Sequence, residues 1–451
     1  MIQKKLATKL QAFLDDNPEI EVFEVMLPDI NGGLRGKWIA RDKVDKVFAG
    51  ELKMPLSAAA FDVWGRDPEA VVFDSGDGDG ICQADMATLV PVPWLERPTG
   101  QVLLSLNEVC GKPCAYDSRS LLSKIVSRFD AHGLTPVLAS EMEFYLFEQD
   151  DDGLGRPRHT QADSCGGILN AGQTYGIELM EDMAELMHAI RDACGVQGLP
   201  VDTLVKEAAP SQYEINLYHN NNALMAADQA LMLKRVIRGV AKKHGKRATF
   251  MAKPDGSMAG NGMHVHCSLV NSEGLNAFNN GTELGNGLLR QAIAGCLHSM
   301  NDVMLMLAPN LNSYRRFQRG SHVPLAPTWG YENRTVSVRV PADSYTARRI
   351  EHRVAGADAN AHLVMAAILA GMLHGIENKM VAPEPLEGNA YDQVPPSLPH
   401  HWQDALNKFS ASPFIEEYFG AEFQKVYSQV KQQEIEQFAK VVTPLEFEGH
   451  L

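Results

Sequence analysis

Ala139-Ser-Glu-Met-Glu-Phe-Tyr-Leu-Phe147 alternates apolar and polar residues and is rich in aromatics, the pattern of a half-buried strand. Successive side chains of a strand point to opposite faces, so Glu141 and Glu143 share one face. Two carboxylates that close repel each other. They are tolerated if solvated, if they share a proton, or if they hold a cation. Which of these applies depends on whether other ligating side chains converge on the same wall.

The flanking sequence supplies such side chains. A helix over residues 118–131, with Ser118 as N-cap and Gly133 as stop, leads through Leu134-Thr-Pro-Val-Leu138 into the strand. A second helical pattern covers 178–193. It is followed by Val205-Lys-Glu-Ala-Ala-Pro-Ser-Gln-Tyr-Glu-Ile-Asn-Leu217, two strand-like pieces carrying Glu207 and Glu214. A hairpin or a bulged strand there would turn both carboxylates into one cavity. A long helix over 223–244 precedes a glycine-rich loop that runs straight into His264-Val-His266, which places two imidazoles on one strand face. Histidine is uncommon in a buried strand without a partner.

Beyond a helix over 284–307, Arg315, Arg316, Arg334, Arg339, Arg349 and Arg353 gather in a chain whose net charge is −15. Val336, Val338 and Val340 alternate with Ser337 and Arg339, a strand with a cation on its polar face. The guanidinium fork matches phosphates and carboxylates. From residue 355 onward the pattern is helical, interrupted by a Pro-rich loop at 383–396.

Toward the N-terminus the chain reads as a smaller unit. An amphipathic helix carrying Leu6, Leu10, Phe13 and Leu14 is followed by a strand at 21–27, a turn Pro28-Asp-Ile-Asn-Gly-Gly33, and a second strand at 34–40. Ala70-Val-Val-Phe73 continues the strand pattern. The Asp74-Ser-Gly-Asp-Gly-Asp-Gly80 loop lacks the closing Glu of an EF-hand and reads as a surface turn. A Pro-rich passage at 91–98 and an apolar strand at 102–106 mark a boundary between two domains, 1–105 and 106–451.

Composition narrows the function classes. With 451 residues, 45% hydrophobic and 22% charged, the chain builds a large core. Net acidity without a Lys/Arg run speaks against nucleic acid or an anionic membrane as partner, and suits a cationic ligand. Seven cysteines without a C-x-x-C pair indicate reduced thiols. Neither a signal-peptide stretch nor an apolar span of transmembrane length is present, so a cytoplasmic protein is expected.

Glu141, Glu143, Glu207, Glu214, His264 and Glu351 together make a hard-oxygen ligand set with one nitrogen, suited to Mg²⁺ or Mn²⁺ rather than zinc. Five carboxylates exceed what one ion needs, so two or more ions are expected. With arginines to hold phosphate, the set sketches metal-assisted phosphoryl transfer from a nucleotide. No G-x-x-x-x-G-K-[ST] loop is present.

These segments resemble the glutamine synthetase superfamily in order and spacing: Glu141-Met-Glu143, Lys206-Glu207 to Glu214-Ile-Asn216, Lys253-Pro254 to Gly262-Met-His-Val-His266, Asn312-Ser-Tyr-Arg-Arg316, Asn333-Arg334, Arg339-Val-Pro341 and Arg349-Ile-Glu-His-Arg353. The resemblance implies an α+β fold, with a β-grasp-like N-terminal domain and a catalytic domain built on a curved antiparallel sheet flanked by helices. It also implies a ring of subunits, two stacked hexamers, with active sites between neighbours. Carried over, Glu143, Glu207 and Glu214 would hold the ion nearer glutamate, and Glu141, His264 and Glu351 the ion on the ATP phosphates. Arg316, Arg353 and Gly260 would face the acid substrate, Arg334 and Arg339 the transferring phosphoryl group, and His266, Ser268 and Arg349 the nucleotide. The implied reaction phosphorylates the γ-carboxylate of glutamate with ATP, after which an amine attacks the acyl phosphate under a mobile flap, here Gln318-Arg-Gly-Ser-His-Val-Pro324.

The chain departs from the ammonia-using pattern in three places. His322 stands where the flap carries a Glu. Pro55-Leu-Ser-Ala-Ala-Ala-Phe-Asp-Val-Trp64 lacks the Asp-Gly-Ser-Ser of the ammonium site, and Ala259-Gly-Asn-Gly262 replaces Asn-Gly-Ser-Gly. The first two losses remove anionic groups that would fix NH₄⁺. The nearest resemblance is therefore to the branch that makes γ-glutamyl amides of amines such as putrescine, with Tyr175 and Glu207 at the amine pocket and His322 as a base. The competing readings are a glutamine synthetase with a divergent ammonium site and a catalytically silent ring. Tyr391 falls near a loop that is modified in some relatives, but its surroundings differ.

Overall fold

The computed structural model describes residues 2–69, 72, 76–151, 157–162, 167–168, 173–282 and 284–451. After helix α1 (Ile2–Asp16), strands β1 (Val22–Pro28), β2 (Leu34–Ala40), β3 (Lys53–Pro55), β4 (Asp79–Ala84), β5 (Val90–Pro91) and β6 (Thr99–Asn107) form a six-stranded sheet ordered β2-β1-β6-β4-β3, with β5 beside β6. The β1–β2 hairpin pairs in register from Val22↔Ala40 to Pro28↔Leu34. Its turn is held by Asp29, whose carboxylate accepts from the backbone N–H of Asn31 (2.9 Å) and Gly33 (2.8 Å). Gly32 takes the left-handed conformation there, φ +75°.

Helix α2 (Ser118–Phe129) then leads into β7 (Leu134–Asp151), the spine of a nine-stranded sheet. The other strands are β8 (Pro157–His159), β9 (Val201–Lys206), β10 (Gln212–Leu217), β11 (Lys246–Thr249), β12 (Met263–Asn271), β13 (Trp329–Tyr331), β14 (Val338–Val340) and β15 (Ile350–His352). Their order is β9-β10-β7-β12-β15-β14-β13, with β8 and β11 pairing the far end of β7. All pairs are antiparallel except β13–β14. β7 is long enough to take β12 along its first half while β10 and then β11 succeed each other farther along.

Helices α3 (Ala223–Lys243), α4 (Gly287–Leu307) and α5 (Ala361–Glu377) form the hydrophobic backing. α5 is buried on nearly every side, as its uniformly apolar sequence requires. α4 and α5 touch through glycines: a Cβ on Gly295 would lie 2.0 Å from the Gly371 carbonyl, so a larger residue there would force the helices apart.

The last long helix, α6 (Ala421–Ala439), ties the two ends of the chain together. Lys431 and Glu434 form a fully buried ion pair at 2.8 Å. Lys431 also donates to Asn31 Oδ1 (2.5 Å), and Glu434 Oε1 accepts from the Val63 N–H (2.7 Å) and from Asn31 Nδ2 (3.1 Å). Glu434→Ala leaves the ammonium buried without its counter-charge, and is expected to cost about 3–5 kcal/mol in chemical denaturation of the metal-free chain. A loss below about 1 kcal/mol would mean that water reaches Lys431.

Several expectations are corrected. The helix expected at 178–193 is two, Ile177–Glu181 and Ala184–Val196, because Met183 leaves helical geometry (φ −110°, ψ 12°) and turns its side chain into the core. The N-cap of α2 is Asp117, not Ser118. The Asp117 carboxylate accepts from the N–H of Ser120 (2.7 Å) and of Leu106 (3.0 Å), a reach a serine lacks. α4 starts at Gly287 after its cap Asn286, three residues later than the periodicity suggested. The strand expected at 336–340 shortens to Val338–Val340, since Ser337 turns inward and donates to the Ala326 carbonyl. Of the strand and loop expected at 70–80, residues Ala70, Val71, Phe73, Asp74 and Ser75 lie outside the described residues.

Candidate active site

Strand register assembles the site. Asn216 on β10 lies opposite Glu141 on β7, and Glu141 lies opposite His264 on β12. One row over, His266 on β12 lies opposite Glu351 on β15, which lies opposite Arg339 on β14. Glu214 faces Glu143. Directly opposed residues have Cβ atoms about 5 Å apart, so four carboxylates, two imidazoles and a guanidinium share one patch of sheet.

Hydrogen bonds fix the protonation pattern. Glu141 Oε2 meets His264 Nδ1 at 3.0 Å, and Oε1 meets His266 Nε2 at 2.7 Å. Arg349 Nε donates to His266 Nδ1 (3.1 Å), so that nitrogen accepts and the imidazole proton sits on Nε2, where it donates to Glu141. Burial alone would raise the Glu141 carboxyl, but the two imidazoles hold it far below the ordinary range. Glu351, 1% exposed, accepts from Arg339 (2.9 Å) and from Arg353. Burial is outweighed there too, chiefly by Arg353 and then by His264 and His266, and the carboxyl stays low.

Glu214 behaves oppositely. Burial first, then the charges of Glu141, Glu143 and Glu207, push it up to about 9. Glu207, on the turn after β9, is also raised, by burial and by Glu143. One half of the patch thus carries more negative charge than it can hold as bare carboxylates. A divalent cation would relieve this, and the ligand atoms are grouped for one. Glu141, Glu214 and His264, and likewise Glu141, His266 and Glu351, bring theirs within 4.8 Å of one another. Glu141 is common to both groups. His266, expected at the nucleotide, stands in the second. Glu143 and Glu207 are in neither: Glu143 Oε2 accepts from the Gly262 N–H at 2.6 Å, and Glu207 Oε2 from the Ala208 N–H at 3.2 Å.

The glycine loop closes the floor. A Cβ on Gly262 would come 3.0 Å from His264 Nε2, 3.1 Å from an Arg316 terminal nitrogen and 3.5 Å from Glu143 Oε2. Arg316 (2% exposed) and Arg353 (5%) are buried, whereas Arg315 is exposed. The Nε atoms of Arg316, Arg339 and Arg353, like that of Arg348, are buried with no hydrogen-bond partner among the described residues, which leaves donors that an anion could meet.

On the other side of Glu141 a cavity of about 1060 Å³ is lined by Glu141, His266, Ser268, Asn276, Asp343 and Arg349, among others. It unites the residues expected at the nucleotide. Arg334, Tyr175 and His322 are exposed. Tyr175 and His322 take left-handed backbones (φ +63° and +58°), and the Tyr175 N–H is anchored to the Lys206 carbonyl beside Glu207 (2.9 Å). The loop expected to act as the flap is tethered at its end, with the Tyr391 hydroxyl donating to the Val323 carbonyl (2.8 Å).

Sequence reasoning passed over Glu332, whose carboxylate accepts from Arg339 and from the Ala342 N–H, and Asp343, which pairs with Arg349 at 2.7 Å. Both adjoin quoted motifs, and an acid beside a functional arginine was the available signal.

The family described as "Glutamine synthetase, catalytic domain" matches residues 115–450. Gamma-glutamylputrescine synthetase PuuA of Escherichia coli (strain K12) is 37% identical over 98% of this chain and 94% of its own length. Glutamate–isopropylamine ligase of a Pseudomonas species is 32% identical over 99% and 98%. Among solved structures, a GmaS/ADP complex superposes with a TM-score of 0.86 at 24% identity, over 98% of this chain and 99% of that one. The α+β fold expected from the sequence is the fold observed.

Proposed function

The chain belongs to the glutamine synthetase family, and from that premise we propose that it is an ATP-dependent ligase joining the γ-carboxylate of glutamate to an alkylamine. The observation that carries this is the convergence of Glu141, Glu143, Glu214, His264 and Glu351 on one patch of sheet, with Glu207 on the adjoining turn, beside buried arginines whose Nε atoms lack partners among the described residues. Those six residues would hold the divalent ions, Mg²⁺ or Mn²⁺, which supply charge neutralisation for phosphoryl transfer. Arg316 and Arg353, with the backbone at Gly260, hold the acid substrate. Arg334 and Arg339 meet the transferring phosphoryl group, and His266, Ser268 and Arg349 hold ATP at the mouth of the large cavity.

The chemistry has two steps. A γ-carboxylate oxygen of glutamate attacks the terminal phosphorus of ATP, and the bond to ADP breaks. The amine nitrogen then attacks the carbonyl carbon of the γ-glutamyl phosphate, phosphate leaves, and the amine's proton passes to a base, for which His322 on the flap is the candidate. Arg339 and Arg353 face the charge that develops in both steps, and flap closure keeps water from the acyl phosphate.

An alkylamine is favoured over ammonium by the fate of the one acid in the altered N-terminal segment. Asp62 is fully buried. Its Oδ1 accepts from the N–H of Trp64 and of Arg66 (both 2.9 Å), and its Oδ2 from Arg66 Nε (2.8 Å) and Gln433 Nε2 (3.1 Å). Committed inside its own chain, it offers nothing to NH₄⁺. The names of the two relatives point the same way. Tyr175 and Glu207 border the amine entrance, and a net charge of −15 draws in di- and polyamines. The division into residues 1–105 and 106–451 and the ring of two stacked hexamers belong to this reading. The first sheet runs on to Asn107, two residues past that boundary. A cytoplasmic location is part of it as well; no helix among the described residues is long and apolar enough to cross a membrane.

The test is ATP hydrolysis coupled to amide formation, with glutamate and Mg²⁺ fixed, across ammonium, methylamine, ethanolamine, putrescine, cadaverine and spermidine, for the wild type and for His322→Ala. A kcat/KM for a di- or polyamine far above that for ammonium is expected. Ammonium as best substrate would return the chain to glutamine synthesis, and no turnover at all would make it a silent ring.

A further inference from the structure

The turn that carries Glu207 and the loop that carries Gly260 and Gly262 are held together by one buried side chain. Gln212 is 1% exposed and Asn261 is 0% exposed. Gln212 Nε2 donates to the Gly260 carbonyl, 48 residues away, and to Asn261 Oδ1, both at 3.0 Å. Gln212 Oε1 accepts from the Ala209 N–H (3.2 Å), and its backbone carbonyl accepts from the Glu207 N–H (2.9 Å). Asn261 in turn donates through Nδ2 to the Met251 carbonyl (2.8 Å) and through its backbone N–H to Ala252 (2.8 Å). Every donor of the Gln212 amide is used, and each bond runs to one of the two segments it joins. The loop's outer side is held separately, by the Tyr145 hydroxyl donating to the Ala259 carbonyl at 2.6 Å.

What the clamp holds lies against the site. A Cβ on Gly260 would fall 2.6 Å from the Ala252 carbonyl and 2.7 Å from Arg316 Cγ, so the loop backbone rests on the stem of the arginine assigned to the acid substrate. The Gly262 N–H holds Glu143. A movement of the loop would disturb Arg316 and Glu143 together. The cavity that takes the nucleotide is lined by other residues, and Gln212 is not among them.

We propose that Gln212, acting through Asn261, is a positioning residue that sets the spacing between Arg316, Glu143 and Glu207, and so governs affinity for the carboxylic acid substrate independently of the nucleotide. This rests on the assignment of Arg316 to the acid substrate made above. Asn261 occupies the altered third position of the glycine motif, and the clamp gives that alteration a purpose: its amide oxygen meets a donor from Gln212 while its nitrogen ties the loop to Met251.

The deciding variant is Gln212→Glu, which keeps the shape but has one donor for the two facing oxygens when protonated and none when ionised. KM for glutamate is expected to rise about ten- to a hundredfold, with KM for ATP unchanged and unfolding still cooperative. Amide hydrogen exchange should quicken at residues 258–262 and stay as in the wild type elsewhere. An unaltered KM for glutamate, an equal rise for ATP, or unchanged exchange in the loop would each overturn the proposal. Asn261→Ala, which removes the bonds of a single amide group, is read by the same measurements should Gln212→Glu fail to fold. If the wild type turns over no amine with glutamate, the ligase reading falls, and loop exchange in the variant still decides whether the clamp exists.

Discussion

Glu214→Gln is expected to lower kcat by about three orders of magnitude or more while leaving the metal-free fold at least as stable as the wild type. Without a cation, burial and three neighbouring carboxylates push the Glu214 carboxyl up to about 9, so near neutral pH it is already the uncharged group that glutamine imitates. The substitution removes a cation ligand and little else. Calorimetry with and without Mg²⁺ separates the two roles. A cation at about a hundredfold over its Kd stabilises the wild type by about 2.7 kcal/mol, and that increment should vanish or shrink sharply in the variant.

The pH dependence follows from the same shift. A carboxyl whose folded pKa lies above its unfolded value contributes stability that is complete below the unfolded value of 4.5 and lost as pH rises toward about 9. The metal-free wild type should therefore melt progressively lower across that window, and Glu214→Gln should show a shallower decline. An equal Mg²⁺ increment in both proteins, or retained turnover, would remove Glu214 from the ion site.

How much of this was legible depended on range. The shared face of Glu141 and Glu143 follows from the period of one strand, and His264 and His266 from another. Which imidazole serves which carboxylate does not, because it is set by pairing between strands 125 residues apart. His266 therefore lies against Glu141 and beside Glu351, whereas the family resemblance implied the nucleotide for it. The pair Arg315 and Arg316 makes the same point locally. Adjacent in a tight helical turn, one is exposed and the other is 2% exposed, and nothing in their own chemistry chooses between them. Gln212 reads in sequence as an ordinary polar residue ahead of Glu214. Only burial between two segments from distant parts of the chain makes its amide a clamp. The break at Met183 escaped because apolar periodicity records which face is buried and is blind to a turn that keeps the same residues inside.

Arg316→Met should raise KM for glutamate by about two to three orders of magnitude with no loss of stability. Arg316 donates to the Val354 carbonyl at 3.2 Å, but its Nε has no partner among the described residues. Burial pulls its pKa below the usual guanidinium value despite the opposing charges of Glu143 and Asp358. A buried cation so incompletely paired is costly in the empty protein, so an apolar side chain of similar length is expected to leave stability unchanged or improved. The cost is recovered when a carboxylate docks. Arg353 is the control, since its guanidinium engages Glu351, itself 1% exposed. Arg353→Met leaves that carboxylate with Arg339 as its remaining guanidinium, and is expected to lower both activity and stability. The two arginines are thus told apart by the sign of their effect on unfolding. A fall in stability for Arg316→Met as large as for Arg353→Met would make Arg316 part of the scaffold. An unchanged KM would place the acid substrate's carboxylate elsewhere, and with it the spacing that Gln212 is proposed to set.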